Sequence, residues 1–493
     1  MNNFDGLVNI YPEICIDNFI SSVILNKRIK VFILSHFHDD HMHGLEDQNF
    51  FKLLKSNLNL YKNDQKNCLI KFYVSSITKQ FISLCDKYKH LEEFCTELSC
   101  DSPISVALNA NEVITITFVG SGHCPGSVMV FIEGARGNIL FTGDFRLPLS
   151  SASRLKFLKL NQTESKERKS VHTLYIDMTF FTPSIKSIPT REESVSELIR
   201  FIKSTLETDK NAFIYLKSSA RIGYEYVFTE IYKQTRFKIH VNETIYKLYD
   251  NLPQIQDVLT LDAYETQIHS CMYEVKKRDE KKISLFKSSS FVNDSNKKAM
   301  NNKCLNLKLP CTIHDSNEID KIRKNVNCIK IILSTMWFID TAGVSKILVQ
   351  YVPSKTEAET LAYKPYKTVY RLCYSFHSSY EEIVDFVETV KPSNLKVIAL
   401  PESTSESDVN SFFYGKSENK LTTRQEEDIL CKSNSTNTLV LRKRKSTLNF
   451  NDYNKSDSDE SVIDAENNND SDDDLCFSLH KKQNKLCNFK KVT

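Results

Sequence analysis

The sequence predicts an α/β (α+β) protein: a strand-rich first part, a second part in which strands and helices alternate, and a polar tail. Short apolar runs bounded by turn residues predict the first strands at 30–34 (KVFIL), 113–119 (VITITFV), 127–132 (SVMVFI) and 138–143 (NILFTG). After a polar loop at 161–170, TLYIDM at 173–178 reads as a strand, REESVSELIRFIKSTLE as a helix and AFIYL as a strand, with a second helix near 223–234. Lysine, serine and asparagine dominate 276–303, which predicts a mobile insertion. Then IKIILSTMWF, VYRLCYSF, EEIVDFVETV and LKVIAL predict strand, strand, helix and strand up to Pro401, a unit expected to rejoin the first core.

At 493 residues and 41% hydrophobic content, the chain has material for two or three cored domains. Its 65 basic and 62 acidic residues leave a net charge of +3, which neither demands nor excludes a nucleic-acid partner. No apolar run approaches the roughly 18 residues of a membrane span, and the first residues lack a secretory pattern, so a soluble intracellular protein is expected. The 14 cysteines form no compact framework, which favours free thiols or metal ligands over disulfides. Beyond Glu402 the composition cannot offset the entropy of ordering, and a disordered tail is expected. It carries a basic cluster, Arg442, Lys443, Arg444 and Lys445, then an acidic, serine-bearing run at 457–474 suited to phosphorylation and docking.

The chemistry concentrates in LSHFHDDHMHGL, where an apolar strand ends and delivers His36, His38, Asp40 and His41 to one loop. Alternate histidines can reach one ion while the following Asp and His serve a second, and Zn²⁺ favours such nitrogen and oxygen ligands. His123 in GSGHCPGSVM, Asp144 in LFTGDF and His377 in YSFHSSY stand at later strand-to-loop junctions. Singly, each would be an ordinary buried polar group; together they complete two shells. The first comprises His36, His38, His123 and Asp144, and the second Asp40, His41, His377 and the shared Asp144.

These motifs, HxHxDH, GHCPGSVM and TGDFR, resemble the metallo-β-lactamase superfamily and specifically its DNA-acting β-CASP branch. The likeness extends through FDG…YPEICIDNF, LYIDMTF, GYEYVFTEIY, STMWF and SFHSSYEEI, covering about residues 1–403. It implies an αββα sandwich over 1–176, an inserted β-CASP domain over 177–365, a return segment over 366–403 and a disordered tail over 404–493. It also gives Asp17 a role anchoring the metal ligands and Asp177 one orienting His377, and with Asp40 these are the catalytic candidates. His240, His269, Cys271 and Cys311 match a structural zinc site of the branch, with a long insertion before the last ligand. Ser75 and Thr78 either line the substrate site or make local turn hydrogen bonds. RNA-processing members carry a histidine where Leu400 stands here, and none occurs between His377 and His480, so the resemblance points to DNA.

The resemblance therefore implies a nuclear, metal-dependent DNA nuclease with one or two catalytic Zn²⁺ ions and one structural Zn²⁺, Mg²⁺ or Mn²⁺ being alternatives for activity. Its expected products are 5′-phosphate and 3′-hydroxyl ends, and its expected substrates DNA hairpins, overhangs and single-to-double-strand junctions in double-strand-break repair by non-homologous end joining. A DNA-dependent protein kinase or ligase complex is the implied partner of the tail. The alternatives are a 5′ exonuclease of cross-link repair or telomere processing, an RNA-processing endonuclease and a noncatalytic scaffold.

Overall fold

In the computed structural model, residues 4–63, 70–158, 169–218, 220–271, 327–340, 346–352 and 368–415 are described. The polar loop expected at 161–170 falls mostly outside them, as do the insertion at 276–303, Cys311, the basic cluster at 442–445 and the acidic run at 457–474.

Among the described residues the strands form three sheets. The first contains β1 (Ile14–Ile16), β2 (Val31–Ile33), β3 (Lys71–Ser75) and β4 (Cys95–Leu98), in that order and all parallel. The second runs through β5 (Ile104–Asn109), β6 (Glu112–Gly120), β7 (Val128–Glu133) and β8 (Ile139–Phe141) as an antiparallel meander, then takes β9 (Thr173–Asp177) parallel to β8. The chain next leaves for a third sheet, formed by β10 (Phe213–Lys217), β11 (Ile239–His240), β12 (Leu259–Thr260), β13 (Ile268–His269), β14 (Cys328–Leu333), β15 (Leu348–Tyr351) and β16 (Thr368–Leu372). Its spatial order is β12-β11-β13-β10-β14-β16-β15, parallel except for the antiparallel edge strand β15. Finally β17 (Asn394–Ala399) comes back to the second sheet and pairs parallel with β9, Asn394 opposite Thr173.

The first two sheets share one apolar layer. Ile14, Ile16, Val31, Ile33 and Tyr73 from one side meet Ile116, Phe118, Val130, Ile132 and Phe141 from the other. Helices cover the outer faces. Gln48–Asn63 and Ser76–Leu84 set Phe50, Leu54 and Phe81 into the same cluster as Phe32 and Phe72, while Tyr380–Val390 sets Phe386 against Phe145, ring centroids 4.9 Å apart. This is an αββα sandwich, interrupted between β9 and β17 by the third sheet and its helices. The helix Arg191–Thr208 opens that excursion with a capping box: Thr190 accepts from the Glu193 N–H, and Glu193 accepts from the Thr190 N–H.

Four expectations shift. The first part is not only strands and loops, because Gln48–Asn63 and Ser76–Leu84 are helical; Phe50 and Leu54, four residues apart, mark a buried stripe within a largely polar run. IKIILSTMWF is not one strand, since β14 ends at Leu333 and Met336–Asp340 is a short helix. Thr368–Leu372, expected in a return segment beginning at 366, pairs with β14 in the third sheet, and apolar patterning alone does not say which neighbour a strand will take. The segment Ser405–Ser471 is a separate unit, and of its described residues Glu406–Tyr414 is a helix with a Ser405–Asp408 capping box, where tail composition suggested no structure.

Leu198 is 0% exposed on the inner face of Arg191–Thr208. Replacing it with alanine removes buried methylenes and leaves a cavity, so Leu198→Ala should cost about 2–5 kcal/mol, read as a lowered urea midpoint.

Candidate metal centre

Strand ends deliver the candidate ligands to one place. The loop after β2 carries His36, His38 and His41, that after β6 carries His123, that after β8 carries Asp144, and β9 ends on Asp177. His377 follows β16 and precedes the helix Tyr380–Val390. All of these side chains are buried, whereas the Asp40 carboxylate is 44% exposed at the mouth of the cluster.

Asp144 is the meeting point. Its Oδ2 lies 3.4 Å from His123 Nε2 and 3.6 Å from His36 Nε2, and its Oδ1 lies 3.3 Å from His41 Nε2. His38 Nδ1 stands 3.0 Å from His123 Nε2. A tetrahedral zinc with bonds of about 2.0–2.1 Å would have ligand–ligand edges of roughly 3.3–3.4 Å. The spacing of His36, His38, His123 and Asp144 fits such an ion. Asp40, His41 and Asp144 form a second group within reach of one another, and Asp144, Asp177 and His377 a third. Asp144 is common to all three groups, His377 falling with Asp177 and not with Asp40 and His41, and the ring of His377 lies 5.0 Å from that of His123.

Partners on the far side of the rings fix which nitrogen faces inward. His41 donates from Nδ1 to Asp17 Oδ2 at 2.8 Å, and His377 donates from Nδ1 to Asp177 Oδ2 at 2.7 Å. His36 Nδ1 is 2.9 Å from Ser35 Oγ, whose hydroxyl donates to Asp17 Oδ2 at 2.6 Å, while the Ser35 N–H donates to Asp17 Oδ1 at 2.7 Å. One buried carboxylate therefore orients two imidazoles, from a left-handed backbone position at φ 56°. The result is two buried nitrogens without a hydrogen-bond partner, His36 Nε2 and His41 Nε2, both turned toward Asp144. Leaving such atoms unsatisfied is unfavourable, and a bound cation satisfies them.

For three of the histidines the electrostatics agree. Burial, reinforced by the neighbouring imidazoles, holds His36 and His123 well below the usual histidine range, and burial brings His38 down to about 4. Neutral imidazole is the ligating form. For His41 burial acts downward, but the Asp144 and Asp40 carboxylates outweigh it and the pKa rises. Burial raises Asp144 against the opposing pull of His41 and His377, whereas at Asp177 the contacts with His377 and Thr179 overcome burial and lower it. A cation would relieve both the strained Asp144 carboxylate and the crowded rings.

Ser75 and Thr78 are buried, and both hydroxyls reach the Gly126 carbonyl, at 2.6 and 3.3 Å. They brace the loop that carries His123, and Ser75 Oγ also accepts from the Thr78 N–H at 3.2 Å, a local turn hydrogen bond of the kind weighed above. Sequence reading missed two buried arginines that tie the ligand loops together. Arg146 donates to the carbonyls of Ser375 and Pro189, at 2.8 and 2.9 Å. Arg191 donates to the carbonyls of Ser375 and Gly122, at 3.3 and 3.0 Å, linking the His377 loop to the His123 loop. Contacts to backbone carbonyls leave no mark in the accepting sequence; the only available signal was TGDFR, which contains Arg146.

In the third sheet, β11 and β13 pair in parallel register with His240 opposite His269. Their Nδ1 atoms are 2.9 Å apart, Cys271 Sγ lies 3.8 Å from His269 Nδ1, and His269 Nε2 is 3.1 Å from the Thr266 carbonyl. These three could hold a second kind of metal; the fourth expected ligand, Cys311, is outside the described residues.

Comparison with known proteins agrees with this geometry. Residues 253–400 match the family model described as DNA repair metallo-beta-lactamase. This stretch of the chain resembles the DNA-repair metallo-β-lactamases. Within that class the chain resembles Artemis: it is 31% identical to protein artemis of Gallus gallus over 83% of this chain and 49% of the relative, and 31% identical to that of Homo sapiens over 82% and 50%. It is also 30% identical to the 5′ exonuclease Apollo of Rattus norvegicus over 35% of this chain and 27% of the relative. The chain thus spans about half the length of the artemis proteins it matches.

Asp17→Asn keeps the shape but has only one acceptor oxygen, so it cannot accept from the Ser35 N–H as well as from the Ser35 hydroxyl and His41, and zinc affinity should fall by about 10–100-fold, measured by competition with a chromogenic chelator. Cys271→Ser should weaken the thiolate-to-cobalt charge-transfer absorption of the Co²⁺-loaded protein to what Cys311 alone can supply and leave the histidine-rich cluster loaded.

Proposed function

We propose that this protein is a metal-dependent, structure-specific DNA nuclease that hydrolyses phosphodiester bonds to 5′-phosphate and 3′-hydroxyl ends. The observation that carries this reading is the shared Asp144 carboxylate, joined to His36, His38 and His123 on one side and to Asp40, His41 and His377 on the other. Zn²⁺ held there, or Mg²⁺ or Mn²⁺ in its place, would polarise a phosphate oxygen and make water nucleophilic near neutral pH.

The chain's own residues supply the remainder. Asp17 and Asp177 hold His41 and His377 with one nitrogen each directed away from the carboxylate. Asp40, half-exposed and 3.5 Å from His41 Nε2, is placed to take a proton from the attacking water. Burial of the other ligands excludes bulk water beneath the reacting phosphate and strengthens every charge interaction there.

DNA is favoured over RNA by Leu400, which directly follows Ala399, the residue paired with Asp177 at the strand ends. Similarity to artemis proteins supports opening of hairpins and overhangs during end joining, in the nucleus, with a DNA-dependent kinase or ligase complex engaging the tail. The shorter match to Apollo supports a second reading, a 5′ exonuclease.

On an end-labelled DNA hairpin, Asp40→Asn should lower the cleavage rate by about 10²–10⁴-fold while zinc remains bound. Cutting internal to the hairpin supports the endonuclease; release of single nucleotides from a 5′ end supports the exonuclease; cutting of a matched RNA alone would contradict the reading.

A further inference from the structure

The loop at 220–224 of the inserted domain reaches the metal cluster through its backbone. His38 Nε2 lies 3.4 Å from the Ile222 carbonyl. A carbonyl only accepts, so Nε2 carries the proton, and Nδ1, 3.0 Å from His123 Nε2, is the lone pair offered to a cation. The direction of that carbonyl depends on the next residue. Gly223 sits at φ 119°, a conformation that L side chains rarely adopt.

Gly223 is in turn clamped by Glu225. Its N–H donates to both carboxylate oxygens at 2.9 Å, and Tyr249 donates its hydroxyl to Oε1. Glu225 and Tyr249 are 0% and 1% exposed. Among the described residues Glu225 forms no ion pair with a lysine or arginine, so neutral donors alone satisfy its buried carboxyl, and burial pushes its pKa up. A carboxylate at the start of the helix Glu225–Thr235 is favourable toward the helix dipole, but an exposed acid would serve that purpose without the cost of burial. Nearby, Arg221 Nη2 reaches Asp39 Oδ2 at 3.4 Å, a second tie between the same two loops.

We propose that Glu225, supported by Tyr249, is a positioning residue of the metal centre: by locking Gly223 it aims the Ile222 carbonyl at His38 and fixes which ring nitrogen that histidine offers. The inserted domain is then part of the metal site as well as a wall beside it. This rests on the reading that His36, His38, His123 and Asp144 hold a cation, and it does not depend on DNA being the substrate.

The test is a Co²⁺ titration of the full chain followed by visible ligand-field absorption, with thiolate charge transfer reporting the His240, His269 and Cys271 cluster separately. Wild type, Glu225→Gln, Gly223→Ala and Tyr249→Phe are compared, with thermal unfolding measured alongside. Glu225→Gln and Gly223→Ala should each weaken cobalt binding at the histidine-rich site by about 10–100-fold and alter its ligand-field bands, with the thiolate signal unchanged. Tyr249→Phe removes only a hydroxyl and should shift the same bands less, which keeps the test readable if the other two do not fold. Variants that melt earlier yet bind cobalt with wild-type affinity and spectrum would make Glu225 a fold element and overturn the proposal. Absence of any histidine-type cobalt band in wild type would overturn it together with the metal-site reading, whereas normal cobalt binding without DNA cleavage would count against the nuclease alone.

Discussion

Burying many polar side chains in one place is the constraint around which this molecule is arranged. His36, His38, His41, His123 and His377 lie out of water together with Asp17, Asp144 and Asp177. A buried polar group without a partner is unfavourable by roughly 2–7 kcal/mol. The chain answers by fixing the outer edge of a ring with a carboxylate, a hydroxyl or a carbonyl, and turning inner nitrogens toward Asp144. What the protein cannot satisfy by itself, the nitrogens of His36 and His41, is what a cation satisfies.

That demand explains the architecture. Parallel strands end together, so β1, β2, β8 and β9 deliver Asp17, the HxHxDH loop, Asp144 and Asp177 to one end of the sandwich. The excursion between β9 and β17 supplies the rest: Ile222 reaches over His38, and Arg191 at the head of the first inserted helix joins the His123 and His377 loops. The insertion and the sandwich consequently meet at one site.

The metal cluster was legible in the sequence because its ligands are side chains of rare types at fixed spacing. His36, His38, Asp40 and His41 share a single loop, and His123, Asp144 and His377 each follow an apolar strand. The second cluster was readable only through resemblance, since His240 and His269 become neighbours by strand pairing 29 residues apart. What could not be read are contacts made by backbone. The Ile222 carbonyl, the Gly122 and Ser375 carbonyls held by Arg191, and the Gly126 carbonyl held by Ser75 could belong to any residue type. Sheet order was likewise hidden, and Thr368–Leu372 was misassigned because a strand's own pattern does not name its neighbour.

The central claim is that the cluster around Asp144 is a metal site shared by the sandwich and its insertion. Anomalous diffraction from crystals of the zinc-loaded protein at the zinc absorption edge tests it most directly. The account predicts a peak enclosed by His36, His38, His123 and Asp144, with any second peak on the His41 and His377 side of the same carboxylate. A peak confined to His240, His269 and Cys271, with none beside Asp144 at saturating zinc, would contradict it.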